Sequence, residues 1–310
     1  MDHKFLLCRP TGGLTDILSQ IGRSIEYAKA HQRRLIIDTN IPDFFNEPLS
    51  KYLFSSRHLR ATTNPSKLLI SRLNRLTCKP TGIQGRLDTY KAQQISPADR
   101  RLVSDRVGHF TNLEDTTTRD PLTFDFRINH SEDLLVHHCS GNDLQSALNS
   151  LNHLWPAPEL RRSVLRRLLT LPKTYDALHI RHTDLASDLN LAADSVNHCS
   201  DIPLLVSTDS HIAAREVVKK IRSRPILFAS KPLDPTSFGL ATNATTHKNA
   251  SALPRHAVNT AAFVDLICLA RARTLMSAPL LTGQCKVNSG YFELAQQLQK
   301  SQHLISRFIT

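Results

Sequence analysis

The sequence lacks a cysteine pattern that could hold a metal or a disulfide framework. Its six cysteines are spread over the chain, and no two of them are separated by only two residues. Zinc sites and redox motifs use such close pairs, and small secreted domains use denser sets. We therefore expect reduced thiols in a reducing compartment and a fold that is stabilised by packing.

Long apolar runs are also missing. The longest, residues 260–272, is interrupted by Asp265 and Arg271, and it is shorter than the roughly 20 residues that a membrane span needs. The amino-terminal residues contain no apolar segment of signal-peptide length. These absences predict a cytoplasmic protein without a transmembrane segment.

Acidic and aromatic side chains are both scarce. Lys and Arg outnumber Asp and Glu by 39 to 27, a formal net charge of +12, and aromatics make up 6% of the chain. This surplus favours partners that carry phosphate, whether nucleic acid, anionic lipid or a nucleotide-linked substrate. Residues 159–171 predict a basic helix. Its arginines either form a solvated face or contact a membrane surface or a nucleic acid. No aromatic lies among its arginines for stacking on single strands, so we expect no nucleic-acid partner and leave peripheral membrane contact open.

Strands and helices alternate in both halves of the chain. Residues 4–8 predict a strand, which is followed by a glycine turn, a helix capped by Thr15 or Asp16, and a second strand that ends at Asp38. The same order restarts after residue 156, with strands over 176–180, 203–208 and 225–230 and a helix over 211–222. Alternation of this kind predicts an α/β protein with parallel sheets. We expect two Rossmann-like domains, residues 1–155 and 156–310, that face a cleft.

The other segments carry weaker patterns. Residues 40–130 predict excursions and long loops, and residues 231–256, rich in Pro, Thr, Asn and Ser, predict a long functional loop. Residues 260–273 predict a buried helix, and residues 289–300 predict a closing helix.

Polar groups follow the predicted strands at their carboxyl ends, where α/β proteins bind ligands. Arginine there can form charge-assisted, bidentate hydrogen bonds with a phosphate, and glycines allow backbone N–H groups to approach the same anion. The groups are Gly12 and Gly13 after the first strand, His137 and His138 at the end of residues 133–139, His179, Arg181 and Asp184, and Thr208, Asp209 and Ser210.

Some other sites are disfavoured. Asp38 lies where a dinucleotide-binding acid would stand, but residues 11–16 do not match the G-x-G-x-x-G fingerprint. The run His137-His138-Cys139 has no further ligand at metal spacing and fits a strand end that lines the cleft. No D-x-D occurs, so we expect no metal and expect arginine to neutralise any diphosphate.

Four segments together resemble a known family. Residues 5–39, 178–184, 204–221 and 262–275 occur in the order and register of the NodZ-like nodulation fucosyltransferases, and they also resemble motifs of the core α1,6-fucosyltransferases. The resemblance runs from residue 4 to about 300 and is weak over 40–130. It implies a GT-B glycosyltransferase that moves fucose from GDP-fucose to a glycan hydroxyl, with inversion and without metal or other cofactor, and with a chitooligosaccharide of Nod-factor type as one acceptor.

The resemblance also implies roles for individual residues. Arg181 matches the arginine that holds the donor diphosphate, and the amino-terminal domain is implied to take the acceptor. We therefore predict catalytic roles for Arg181, His182 and Asp184, with His182 and Asp184 both open as the base. We predict donor binding by Gly12, Gly13, His179, Arg181, Thr208, Asp209, Asp265 and Ser289.

The chain departs from the family at several positions. Thr11 and Thr15 replace an arginine and a glycine of the nodulation enzyme's glycine loop, and Leu185 and Ser210 replace a lysine and an aspartate of the core enzymes. A different sugar nucleotide, an altered acceptor or a degenerate enzyme are all compatible with these changes. A non-catalytic protein that binds a nucleotide or a polyanion is the alternative hypothesis.

Overall fold

The structure is a computed structural model, and it forms two compact units, Met1–Trp155 and Pro156–Thr310. It describes residues 4–41, 45–59, 61–141, 143–181, 187–197, 201–208, 210–221, 223–229, 254–279, 281 and 289–310. Over these residues, no helix is long and apolar enough to cross a bilayer.

Unit 1, residues 1–155, contains a five-stranded parallel sheet in the order β4-β2-β1-β8-β5. Strands β6 and β7 form a separate antiparallel pair. The elements of unit 1 are β1 (Phe5–Pro10), α1 (Leu14–Ala30), β2 (Arg34–Ile37), β3 (Leu53–Ser55), β4 (Ala61–Thr62), α2 (Lys67–Leu73), β5 (Cys78–Lys79), β6 (Ala92–Gln94), α3 (Pro97–Val107), β7 (Leu113–Asp115), β8 (Leu134–Cys139), α4 (Leu144–His153) and β9 (Leu154–Pro156), the last crossing the boundary.

Close packing of α1 against α4 fixes one side of this sheet. The apolar residues Ile17, Ile21 and Ile25 recur at helical spacing along α1 and are fully buried. At Gly22 the two helices come so near that an added Cβ would lie 1.7 Å from the Ser146 backbone oxygen. Only glycine fits at this contact.

Residues 40–130 contain more regular structure than their sequence predicts. Helices α2 and α3 lie in this region, and the prediction of loops was wrong there. Helix α3 has no apolar stripe, but Ser96 caps its first turn by accepting a hydrogen bond from the Asp99 amide, and Gly108 ends it with a φ of 72°. End signals rather than hydrophobic periodicity therefore define this helix.

Unit 2, residues 156–310, contains a four-stranded, fully parallel sheet in the order β12-β11-β10-β13. Its strands at 176–180, 204–208 and 226–228 confirm the three predicted ones to within two residues at each end. The elements are α5 (Pro158–Leu168), β10 (Asp176–Ile180), α6 (Leu189–Asn197), β11 (Leu204–Thr208), α7 (His211–Lys220), β12 (Ile226–Phe228), α8 (Arg255–Ala270), β13 (Leu275–Ser277), α9 (Gly290–Lys300) and α10 (Gln302–Ile309).

The sheet of unit 2 is buried by helices. Leu178 and Val206 pack with Ala192 of α6 and Val217 of α7 in one apolar cluster. Helix α8 is buried along most of its length, as its sequence predicts. In α5, Arg167 donates hydrogen bonds to the Phe228 and Ala229 carbonyls, so one arginine of the basic helix holds the end of β12.

Candidate functional site

The carboxyl ends of β10, β11 and β13 bring several predicted site residues of unit 2 together. Ile180 of β10 pairs with Thr208 of β11, and His179 pairs with Ser277 of β13. Arg181 follows β10 directly and is partly exposed, and the Ser187 hydroxyl donates a hydrogen bond to its carbonyl oxygen. This edge of the sheet therefore carries Arg181, Thr208 and the polar residues that neighbour them.

His179 is the most unusual residue at this edge. Its side chain is buried, at 5% exposure, yet neither ring nitrogen has a hydrogen-bond partner. Burial, reinforced by the positive charge of Arg181, lowers the pKa of His179 to about 3, so the ring is neutral. A buried polar group without a partner costs about 1–3 kcal/mol. Such a group in a native structure needs a specific explanation, and a role in chemistry or an ordered water or ion are among the known ones.

The register of the sheet places polar neighbours beside His179. Ser207 of β11 and Ser277 of β13 are its direct partners across the two flanking strands. In-register residues of parallel strands point to the same face of a sheet. On α9, the Tyr291 ring lies 5.5 Å from the His179 ring, centroid to centroid, and its hydroxyl donates a 2.5 Å hydrogen bond to the Ala262 carbonyl. The row of three polar residues is thereby packed under α9.

Asp265 of α8 lies beside this row. It is 3% exposed, and the Ser207 hydroxyl donates a 3.3 Å hydrogen bond to its Oδ2 atom. Burial, with the charge of Asp265 as the next contribution, raises the pKa of Tyr291 well above its usual value. The carboxylate therefore links β11 to α8 on the face of the sheet to which the His179 ring points.

Thr208 and Ser210 form the turn from β11 into α7. The Ser210 amide donates a 3.1 Å hydrogen bond to Thr208 Oγ1, and the Ser210 hydroxyl accepts one of 3.2 Å from the Ala213 amide. The Ser210 hydroxyl is thus the N-cap of α7. Ser289 occupies the N-cap position of α9, but its side chain makes no capping hydrogen bond.

Three of the predicted residues, His182, Asp184 and Asp209, lie outside the described residues. The roles predicted for them remain predictions.

In unit 1, the predicted glycines form the turn between β1 and α1. Gly12 has a φ of 93°, and an added Cβ would lie 2.7 Å from Asp16 Oδ2. The same oxygen accepts a 3.0 Å hydrogen bond from the Gly13 amide. Of the two capping residues expected, Asp16 acts from inside the first turn, while Gly13 occupies the N-cap position. The turn alone accounts for both glycines, and their donor-binding role remains a prediction.

Asp38, the candidate acid of a dinucleotide site, has a structural partner. Its Oδ2 atom lies 3.0 Å from Nε of Arg9, and both side chains are buried. The Arg9 guanidinium also lies 5.4 Å from the centre of the Tyr90 ring. The ion pair therefore links β1 to the residue that follows β2.

His137 and His138 do not line an open strand end, contrary to expectation. Both lie within β8 and are buried. The ring nitrogens of His137 are 2.8 Å from Thr123 Oγ1 and 2.7 Å from Gln20 Oε1, and His138 Nδ1 is 2.8 Å from the Tyr90 hydroxyl. Their rings serve packing, and no cluster of three side chains suited to a metal occurs among the residues that the structure describes.

Comparison with solved structures identifies the fold. NodZ α1,6-fucosyltransferase co-crystallised with GDP aligns at 14% identity with a TM-score of 0.57, and covers 96% of this chain and 92% of its own. The same enzyme soaked with GDP-fucose aligns at 13% identity and a TM-score of 0.56, with the same coverage of both chains. Fucosyltransferase NodZ from Bradyrhizobium aligns at 13% and 0.57, covering 96% and 93%.

The chain has the fold of NodZ. The predicted α/β fold of GT-B type is therefore confirmed. Neither protein-family models nor curated protein sequences give a match. Because the sequence identity is only 13–14%, this similarity shows the fold alone.

Sequence reasoning missed Ser207, Ser277 and Tyr291. Ser207 and Ser277 are isolated polar residues near the ends of short apolar runs, a signal too common to select them. Tyr291 is near His179 only because α9 packs against the sheet. Their grouping depends on strand register, which the sequence does not display.

Proposed function

We propose that this protein is an inverting, metal-independent glycosyltransferase that transfers fucose from GDP-fucose to a hydroxyl of an oligosaccharide or polysaccharide. The observation that carries the proposal is His179, a buried ring with both nitrogens unpartnered, next to Arg181 at the carboxyl edge of the unit 2 sheet. The fold supports it, because NodZ has been crystallised with GDP and with GDP-fucose.

Arg181 is proposed to hold the donor diphosphate. In the transfer, the acceptor oxygen attacks the anomeric carbon, the bond from that carbon to the diphosphate breaks, and the acceptor proton passes to a base. Negative charge grows on the departing diphosphate, so a fixed guanidinium beside it stabilises the transition state more than the ground state. Attack on the face opposite the leaving group inverts the anomeric centre.

His179 is proposed to bind the donor as a neutral ring. With its pKa lowered to about 3, it can donate one hydrogen bond and accept another without adding charge. Asp265 is proposed to act through Ser207, by fixing the strand next to His179. His182 and Asp184 remain the candidates for the base.

A second function is a nucleotide-binding protein without transferase activity. It is favoured by Thr11 and Thr15, which remove an arginine and a glycine of the family's glycine loop, and by the use of the Gly13 amide within its own turn. Both functions require a nucleotide at Arg181. Turnover of GDP-fucose distinguishes them.

Thermal shift tests the nucleotide assignment. A ligand that binds the native state at 100 times its Kd stabilises it by about 2.7 kcal/mol, so GDP and GDP-fucose should raise the Tm more than UDP, CMP or ADP compounds do. Arg181→Ala should abolish this rise, whereas Arg166→Ala, which removes an exposed arginine of α5, should retain it. An unchanged GDP response in Arg181→Ala would show that the donor binds elsewhere.

A further inference from the structure

A basic cavity opens in unit 1 between α3 and the residues that follow it. It has a volume of about 690 Å³ and is lined by Arg100, Arg101, Asp105, His109, Phe110 and Arg127, among others. We call it the arginine pocket. Cavities of roughly 300–1,000 Å³ accommodate small-molecule ligands.

Asp105 also lines the pocket, but two of its arginines form no ion pair with it or with any other described acid. Neither Arg100 nor Arg101 forms an ion pair within the described part of the chain, and the Nε atom of Arg100 is buried without a hydrogen-bond partner. Arg127, by contrast, is neutralised by Asp125, whose carboxylate lies 2.6 Å from NH2 and 2.8 Å from Nε. The pocket is therefore positively charged and contains guanidinium groups that can pair with an anion.

An aromatic face lies beside these arginines. Phe110 is 47% exposed, which is unusual for a large apolar ring. The ring lies against Gly141, where an added Cβ would be 2.8 Å from it. Arg100 donates one 3.4 Å hydrogen bond from NH2 to the Ile95 carbonyl oxygen, which leaves its other N–H groups for a ligand. An exposed ring next to such guanidinium groups suits a ligand with both an apolar face and an anionic group, and sugar acids have both.

His109 makes the floor of the pocket rigid and uncharged. Its Nε2 atom lies 3.1 Å from Thr123 Oγ1, and its Nδ1 atom lies 3.0 Å from the Val107 carbonyl oxygen. Burial, with the charge of Arg23 as the next contribution, lowers its pKa to about 4. The positive charge that an anion meets here therefore comes from arginine.

The pocket adjoins the carboxyl edge of the unit 1 sheet. The Cys139 thiol, at the end of β8, lies 3.7 Å from the Phe110 carbonyl oxygen, and Asn112 Nδ2 donates a 2.6 Å hydrogen bond to Ser140 Oγ. The Thr11 amide in turn donates to the Cys139 carbonyl oxygen. The segment that carries Phe110 is thus tied to the sheet end at which the glycine turn begins.

We propose that the arginine pocket binds an acidic saccharide, with a carboxylate of the sugar held by Arg100 and Arg101 and the sugar ring packed on Phe110. The inference rests on the proposed function, since it names the class of acceptor that the transferase would recognise. The acceptor proposed here carries a carboxylate, whereas a chitooligosaccharide acceptor is neutral.

Binding of two matched oligosaccharides tests the proposal. By calorimetry at low salt, a hyaluronan tetrasaccharide should bind the full-length protein, and chitotetraose, which lacks the carboxylates, should bind at least tenfold more weakly. The double variant Arg100→Ala/Arg101→Ala should weaken hyaluronan binding at least tenfold. The control Arg72→Ala/Arg75→Ala removes the same charge from exposed positions on and just after α2 and should leave binding unchanged.

Phe110→Ala supplies an independent variant. It should weaken hyaluronan binding without creating affinity for inorganic phosphate. Equal binding of the two tetrasaccharides, no binding of hyaluronan, equal losses in both double variants, or binding of phosphate as tight as that of hyaluronan would each overturn the inference. The GDP response, measured on the same samples, shows separately whether the proposed function fails.

Discussion

At the scale of single residues, the candidate site depends on groups whose burial conflicts with their polarity. His179 and Arg181 could be selected from the sequence because they lie at the end of an apolar strand and directly after it. The burial of His179 and the absence of partners for its ring could not, because they result from the register with Ser207 and Ser277 and from the packing of α9. Sequence therefore indicates the candidate groups, and only the structure shows how they are held.

Buried neutral histidines predict acid sensitivity. The pKa values of His138 and His179 are lowered to about 3, and that of His109 to about 4, in each case mainly by burial. These values lie below the unfolded value of about 6.5, so the unfolded chain binds more protons as the pH falls below 6.5. The free energy of unfolding should therefore be highest above pH 6.5 and should fall towards pH 4.

The variant His179→Gln isolates one of these contributions. When the pH falls from 7 to 5, a histidine that stays neutral in the folded protein becomes protonated in the unfolded chain. This difference lowers the free energy of unfolding by about 2 kcal/mol. Urea unfolding at the two pH values should show a loss that is smaller by about this amount in the variant. An identical loss in both proteins would mean that the folded His179 ring takes up a proton in this range.

At the scale of elements, apolar runs of four or more residues predicted the strands well. Strand β10 begins and ends where its pattern predicts, and β1, β2 and β8 are displaced by no more than two residues at either end. The short strands of unit 1, such as β5 and β7, have two or three residues each and no readable period. Tertiary pairing, rather than local preference, forms them.

Helix packing in unit 1 yields a direct test. Gly22→Ala places a Cβ against the Ser146 backbone, which cannot move as a flexible side chain could. We expect a loss of at least about 3 kcal/mol, the upper end of typical overpacking costs. Urea unfolding measures it, with Gly13→Ala as the control.

Gly13 is suitable as this control because its backbone and surroundings accept a Cβ. Its φ is −72°, and the nearest atom to an added Cβ lies at 3.7 Å. Stability of Gly13→Ala should stay within about 0.5 kcal/mol of the parent, as is usual for substitutions without a specific defect. Similar losses in both variants would indicate general sensitivity of α1 rather than a clash with α4.

At the scale of the whole molecule, the chain consists of two α/β units built on parallel sheets, with the division between Trp155 and Pro156. The alternation of strands and helices was sufficient to predict this fold class. The secondary structure inside the excursions of unit 1 was not predictable in the same way, because α3 is defined by its caps. The arginine pocket was not predictable either, because it combines residues of α3 with Arg127, which lies outside the helix. Unit 1 is therefore where structure adds most to sequence.

Hydrogen exchange with and without GDP tests the central claim most directly. If GDP binds at the carboxyl edge of the unit 2 sheet, it should slow exchange in peptides that cover Arg181 and the turn from Thr208 to Ser210. Around Asp176, at the opposite, amino-terminal edge of the same sheet, GDP makes no contact, so the exchange rate there should not change. Protection confined to segments away from Arg181, or no protection at saturating GDP, would contradict the account.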